Sequence, residues 1–343
     1  MKRGVMKAVV FEEFGEPAEV LTTREVPNPE PGPGQVRVRM IASPINPSDL
    51  LVVRGRYGVL PALPATPGFE GVGIVEAIGP GLNPLGRLAH GKRVVAINNT
   101  GGNWAEYAVI PSRQARPVPA AIDDDQAAVA FVNPATAVAM IRHVLKVPRG
   151  ACLLQSAANS ELGKMIIRLG KHDGFRTINV VRREAARSEL EALGADKVVL
   201  SEGGSLPAAV REQTGGEPVH HAIDPVGGAI GTAVFESLGP GGRMLVYGGL
   251  SEERLGVASR QMIAGGQILQ GFWLGHFMRS LSIPRALVFF REVFGLIEAG
   301  VLSSTIGARF PLEKIRAAVA AAETTGRAGK VLLVPGGIGS DGT

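Results

Sequence analysis

Apolar and polar positions follow two different patterns along this chain of 343 residues. Before about Asp123, short runs rich in Val and Ile are separated by turn residues: Lys7–Phe11, Gln35–Ile41, Gly71–Ile78, Lys92–Ile97 and Ala105–Ile110. That is the signature of short strands. Residues 1–126 also hold 15 of the 24 prolines. Proline removes a backbone donor and breaks both helices and inner strands. A β-rich domain with few helices is expected here.

Beyond Asp123 the pattern changes. Asp123-Asp124-Asp125 precedes the apolar QAAVAF, placing a capping side chain and favourable charge at a helix start. Apolar strand candidates follow at Ala151–Ala157, Arg176–Val181, Lys197–Leu200, Val219–Ile223 and Arg243–Tyr247. Between them lie helices at about Leu162–His172, Glu184–Leu193, Leu206–Gln213 and Ala229–Leu238. Strands apolar on both faces that alternate with helices predict a doubly wound parallel α/β sheet, covered on both sides. After Gly271 come helices at Pro284–Ala299 and Pro311–Thr324 and a strand at Lys330–Val334. Periodicity alone leaves these assignable to either domain. The Gly-rich tail Pro335–Thr343 is expected to fray.

Composition narrows the class. With 46 glycines and 24 prolines the chain is no helical bundle. One cysteine excludes an intrachain disulfide and a metal site built from several thiolates. A net charge of +5 without a basic tail suits an anionic ligand better than a nucleic-acid track. The uncharged run Gln126–Ile141 is 16 residues long and is broken by Asn133-Pro134, short of the ~20 a spanning helix needs. The N-terminal MKRGVMKAVVFEEF lacks an apolar region of secretory length, so no membrane association and a cytoplasmic location are expected.

Candidate chemistry begins where the first strand of the alternating region runs into Ala157-Ala158-Asn159-Ser160-Glu161-Leu162-Gly163. A strand, a small-residue turn and a helix N-terminus make a dinucleotide phosphate site. Gly163 is the only glycine in the turn, so the motif is degraded and by itself equally fits an ordinary connection. The second strand adds weight. An NAD site carries an acid at that strand's end, whereas here Val181 is followed by Arg182-Arg183. Paired guanidiniums suit a 2′-phosphate, which favours NADPH. Two later strands end in Pro225-Val226-Gly227-Gly228 and Tyr247-Gly248-Gly249, where glycine lets a ligand approach the backbone.

The chain resembles the medium-chain dehydrogenase/reductase superfamily. Within it, the chain is similar to the zinc-free 2-enoyl thioester reductases of the mitochondrial trans-2-enoyl-CoA reductase type, near the quinone oxidoreductases. The resemblance covers about Met6 to Val334. It is carried by INPSDL at Ile45–Leu50, GRYGVLPALPATPGFEG at Gly55–Gly71, VNPATA at Val132–Ala137, RTINVVR at Arg176–Arg182, YGG at Tyr247–Gly249 and GFWL at Gly271–Leu274. It implies a GroES-like catalytic domain over 1–126 and 272–343, a Rossmann NADPH-binding domain over 127–271, and a homodimer.

By the same resemblance Tyr57 falls on the catalytic tyrosine and Asn133 near the nicotinamide ribose. Asn159, Ser160, Glu161 and Leu162 fall on the phosphate turn, and Arg182 and Arg183 on the 2′-phosphate site. Tyr247, Gly248, Gly249 and Leu250, with Phe272, Trp273 and Leu274, fall on nicotinamide contacts. Lys330 falls on a lysine that reaches the cofactor. Glu161 departs from the pattern, standing where the family has glycine; a carboxylate beside a pyrophosphate is repelled, unless it turns to solvent or pairs with Lys164 or another base. Zinc-dependent relatives draw ligands from segments matching Ser43–Asp49 and Gly68-Phe69-Glu70. The first has no cysteine here and the second has Phe69 in place of histidine, so no metal and no alcohol oxidation are expected.

The implied reaction delivers a hydride to the β-carbon of an enoyl-CoA or an enoyl-carrier protein, so a small-molecule thioester and an acyl carrier protein are the implied partners. A tyrosine, protonated at neutral pH, can donate to the developing enolate. Reduction of quinones or other activated alkenes is the enzymatic alternative. A non-enzymatic nucleotide or RNA binder is a third reading, motivated by Glu161 and the net charge but without a basic-aromatic stripe. Cys152 reads as a small buried residue, Asp224 as a turn former or ribose contact, and Trp104 and Trp273 as groove or core. His220 and His221, adjacent on a strand, face opposite sides. Arg54 and Arg56 are candidates for a CoA phosphate, an acidic carrier or plain solvent.

Overall fold

A computed structural model describes residues 4–81, 88–202 and 204–336. The expected fraying of the tail therefore lies mostly outside the described residues. Fifteen strands run through the described residues. They are β1 (Val5–Val10), β2 (Thr22–Pro27), β3 (Gln35–Pro44), β4 (Glu70–Ile78), β5 (Arg93–Ile97), β6 (Tyr107–Pro111), β7 (Ala115–Pro117), β8 (Cys152–Gln155), β9 (Arg176–Val181), β10 (Lys197–Leu200), β11 (Val219–Asp224), β12 (Leu238–Val246), β13 (Ile268–Gly271), β14 (Ile306–Phe310) and β15 (Lys330–Leu333). The chain divides into two compact units, Met1–Val132 with Ser303–Thr343, and Asn133–Leu302.

The first unit is β-rich. β1 pairs antiparallel with β2, and a second sheet runs β14-β15-β3-β4-β5-β7, with β6 also on β3. Its core gathers Val9, Phe11, Leu21, Ile45 and Trp104 with Leu312, Ile315 and Val319 of the returning C-terminal segment. Trp104 is fully buried and its indole N–H donates to the Pro44 carbonyl at 3.1 Å. Between the two indole readings, the fold selects core packing. The return is also stitched by Gln126, whose amide donates to Ser304 O and accepts from Ser304 N, both at 2.9 Å. Asp123 caps the helix Asp124–Ala128, accepting from Gln126 N at 2.7 Å.

The second unit is the doubly wound sheet. Its strand order is β10-β9-β8-β11-β12-β13, and every pairing is parallel. The order reverses between β8 and β11, which is where open α/β sheets bind ligands beyond the carboxyl ends of their strands. Residues 272–302 cluster with this unit, whereas the expected division put them in the catalytic domain. The physical reason is local. Phe272 N extends the sheet by bonding Val246 O at 2.7 Å, and Glu292 on the helix Ile283–Glu298 pairs with Arg142 at 2.8 Å. His143, Phe277 and Phe289 then stack at centroid distances of 5.3 to 5.7 Å.

Candidate functional site

The phosphate turn follows β8. Gln155, fully buried at its end, donates to Asn179 Oδ1 at 2.7 Å and to Gly163 O at 3.1 Å, fixing the helix start against β9. Ser160 caps the helix Glu161–Asp173, its hydroxyl accepting from Gly163 N at 3.1 Å. A Cβ at Gly163 would stand 2.4 Å from Ala158 O, so only glycine allows this close approach. Ala157 sits at φ 48°, the left-handed conformation that glycine adopts without strain. The turn therefore keeps a glycine-type backbone with only one glycine. Asn159 and Ser160 are exposed, and Leu162 is buried beneath the helix. A helix start of this kind presents backbone N–H groups and the positive end of the helix dipole to an anion.

Glu161 does not project freely from the turn. Only 9% of its side chain is exposed, and its carboxylate lies 3.5 Å from Lys164 Nζ, which also pairs with Glu189 at 2.5 Å. The carboxylate that departs from the family pattern thus shares Lys164 with Glu189.

At the end of β9, Arg182 and Arg183 are both exposed. Among the described residues neither makes an ion pair, whereas the nearby Arg187 is engaged by Glu184 and donates to Val198 O at 3.0 Å. At the ends of β11 and β12, Asp224 is fully buried and accepts from Ser156 Oγ, from Gly227 N at 2.8 Å and from Val226 N at 3.2 Å. Burial pushes its carboxyl up. Its role is to bind the ends of β8 and β11 together, the turn-forming reading.

Tyr247 is half-buried, its N–H on Asp224 O at 3.0 Å, and burial raises its phenol above the ordinary value, with Asp224 adding to the rise. A Cβ at Gly248 would come within 2.7 Å of Pro225 O, while Gly249 faces open space. Leu250 is exposed, with its N–H on Pro225 O at 3.0 Å. Phe272, Trp273 and Leu274 are partly exposed beyond β13, and the Trp273 ring lies 4.5 Å from His276 and 5.2 Å beneath Arg279. Asn133 is partly exposed near the start of the helix Val132–Val138. Every expected cofactor residue except Lys330 thus belongs to the second unit.

In the first unit Tyr57 is partly exposed, its ring 5.2 Å from that of Phe69. Gly68, at φ +105°, supplies the turn before Phe69, and a Cβ there would come within 2.5 Å of the Trp104 ring. Beside them lies a buried polar group that the sequence did not single out. Asn46 and Asp49 form a capping box on the helix Pro47–Val53, and Glu70 opens β4. Lys330, at 3% exposure, directs its ammonium onto Asn46 Oδ1. Burial pushes the Asp49 carboxyl up to about 7, against the pull of its backbone hydrogen bonds. Glu70 is raised too, burial outweighing the nearby Lys330 charge. The available signals were the Asn-x-x-Asp capping spacing and a carboxylate heading an apolar strand.

The remaining candidates resolve simply. Arg54 is paired with Glu16 at 2.9 Å and with Glu323 at 2.7 Å. Cys152 is half-buried and burial pushes its thiol up to about 11, which makes it unreactive. His220 is exposed and His221 half-buried. Among the described residues no group of three or more His, Cys, Asp and Glu side chains is arranged to hold a metal ion, and no helix is long and apolar enough to cross a membrane.

Comparison with known proteins follows the same division. Residues 32–120 match the alcohol dehydrogenase GroES-like domain and residues 162–291 the zinc-binding dehydrogenase family. Over 312 residues the chain is 32% identical to the mitochondrial enoyl-[acyl-carrier-protein] reductase of Bos taurus, covering 90% of this chain and 83% of that one. A putative NADPH:quinone reductase from Bacillus thuringiensis superposes with a TM-score of 0.89 at 32% identity, covering 96% of this chain and 99% of that one. A mycobacterial protein solved in complex with NADPH gives a TM-score of 0.88 at 29% identity, over 96% of this chain and 100% of that one.

Proposed function

Because the chain belongs to the medium-chain dehydrogenase/reductase superfamily of nicotinamide-dependent oxidoreductases, we propose that it reduces the C=C bond of 2-enoyl thioesters with NADPH. The observation that carries the cofactor choice is the pair of exposed guanidiniums, Arg182 and Arg183, at the carboxyl end of β9 where an NAD site carries an acid. The close approach at Gly163, the left-handed Ala157 and the open face of Gly249 fit a dinucleotide. When bound, the dihydronicotinamide supplies the hydride for the β-carbon. Asn159, Ser160 and the helix start hold the pyrophosphate, Asn133 the ribose, and Tyr247 to Leu250 with Phe272 to Leu274 form the wall and backbone edge for the nicotinamide.

Addition at the β-carbon leaves negative charge on the thioester oxygen and requires a proton at the α-carbon, which water supplies. The Tyr57 hydroxyl donates to that oxygen and orients the enolate. Its ring is held against Phe69, which offers no donor atom to a metal, and the reaction runs without zinc. The substrate is an enoyl-CoA or an enoyl-carrier protein, a choice supported by the name of the bovine relative. A homodimer is supported by the edge strand β13, which carries Ile268 at 48% exposure. The second reading, reduction of quinones or activated alkenes, is favoured by the name of the Bacillus neighbour. The third, a binder without catalysis, is weakened on one of its two motives, because the Glu161 carboxylate is turned in beside Lys164.

Tyr57→Phe tests the assignment. Its kcat on crotonyl-CoA should fall by about 10²-fold, the scale of one positioned donor, with NADPH affinity unchanged. Full activity would remove Tyr57 from the mechanism.

A further inference from the structure

Two carboxylates and one ammonium are buried together in the first unit, and none of the three has a place in the reaction as proposed. Asp49 and Glu70 are each 1% exposed, Asn46 1% and Lys330 3%. All four carboxylate oxygens are used, and nearly all on backbone. Asp49 accepts from Asn46 N at 2.8 Å and from Phe69 N at 3.0 Å. Glu70 accepts from Phe131 N at 2.9 Å, Val132 N at 2.8 Å and Asn46 Nδ2 at 2.9 Å. Asn46 closes the arrangement by accepting from Lys330 on its other amide atom.

Such a group makes poor sense as a stability device, because burying ions costs more than well-packed apolar residues would. It makes sense as a brace. A carboxyl group accepting two backbone N–H groups ties its own segment to another. Two buried anions with no cation would take up a proton or part. Among the described residues Lys330 is the cation whose charge acts on both carboxylates, and it is buried with them. Asp49 fixes the backbone of Phe69, whose ring meets Tyr57 at 5.2 Å. Glu70 fixes Phe131 and Val132, the last residues of the unit before the chain leaves it.

We propose that Lys330 is a positioning residue: buried beside Asp49 and Glu70 and donating to the Asn46 that bonds both carboxylates, it balances their charge and so holds Phe69, and through it the Tyr57 ring, in place. The family resemblance implies a direct cofactor contact for Lys330, and this duty is the alternative to it. The consequence for turnover rests on the reading of Tyr57 above, while the charge balance stands apart from it.

The test compares the full-length wild type, Lys330→Met and the double variant Lys330→Met/Glu70→Gln. The single variant leaves two carboxylates without a cation. In the double variant one of the two buried carboxylate charges is gone. Expected for Lys330→Met is a kcat on crotonyl-CoA at least tenfold lower and a lower melting temperature, with KM and the fluorescence-titrated NADPH Kd within about threefold of wild type. The double variant should recover both kcat and melting temperature. If Lys330→Met alone does not fold, a folded double variant with near-wild-type kcat carries the same conclusion. An NADPH Kd raised tenfold or more in both variants, without recovery in the double, would overturn the proposal and return Lys330 to the cofactor. Should the wild type itself fail to reduce crotonyl-CoA, the enoyl reading falls. Recovery of the melting temperature in the double variant would still support the charge balance, and its absence would overturn that too.

Discussion

At the residue scale, the site is defined by charges whose partners decide what they can do. Arg182 and Arg183 make no ion pair among the described residues, so they remain available to an anion. A charged hydrogen bond is worth about 1.5–3 kcal/mol. Arg182→Ala should therefore raise the NADPH Kd by about 10- to 100-fold and leave NADH binding nearly unchanged, as read by fluorescence titration with both cofactors. Equal losses for both would remove the 2′-phosphate assignment. Glu161 is the opposite case, because its carboxylate is largely buried beside Lys164, which it shares with Glu189. Restoring the family's glycine with Glu161→Gly should change NADPH affinity by less than about threefold, since the carboxylate it removes is turned in toward Lys164. A tenfold gain in the same titration would show that the carboxylate does oppose the cofactor. From the sequence the departure at Glu161 and a pairing with Lys164 were both visible, but the choice between that pairing and solvent was not, because a side chain's partner three residues along a helix depends on the rotamers of both.

At the scale of elements, the phosphate turn and the brace each concentrate backbone demands. Ala157 holds a left-handed conformation that costs an L residue about 1–2 kcal/mol. Ala157→Gly should therefore raise stability by up to that amount, less the entropy glycine gains on unfolding, and a lower urea midpoint would contradict the reading of the turn. In the brace, the folded state raises the Asp49 carboxyl to about 7 from an ordinary 3.8. Between those values the folded chain binds a proton that the unfolded chain has released. That contribution is complete below about pH 4 and is lost as pH rises through 7, with Glu70 shifted in the same direction. Asp49→Asn should flatten the fall in urea midpoint between pH 5 and pH 8, where each differential proton is worth about 1.4 kcal/mol per pH unit. An unchanged slope would place the titration elsewhere. The strands with unbroken Val and Ile runs were legible, and β9 and β10 run as expected. β2, β13 and β14 were not, because TTREVP, ILQG and IGARF are edge or near-edge segments with little apolar periodicity and take their shape from a neighbour.

At the scale of the whole chain, alternation of strand and helix was enough to foresee a parallel sheet with a separate β-rich unit, because covering a parallel sheet on both faces leaves a periodic mark. The destination of residues 272–302 was not foreseeable that way, since an amphipathic helix fits either core. Aromatic contacts around His143 and the Arg142–Glu292 pair decided it. Asn46, Asp49, Glu70 and Lys330 lie up to 284 residues apart in sequence and meet only because β15 returns to pair with β3. No local pattern joins them. The exposed edge at β13 predicts that light scattering will give twice the 35.8 kDa of one chain. A monomer at micromolar concentration would contradict the homodimer.

The central claim is the substrate class, and side-by-side steady-state oxidation of NADPH with crotonyl-CoA and with 1,4-benzoquinone tests it most directly. A site that polarises a thioester carbonyl through Tyr57 should give a kcat/KM at least tenfold higher for crotonyl-CoA, since one such donor is worth about 10²-fold or more. Faster turnover of the quinone, or none with the thioester, would contradict it.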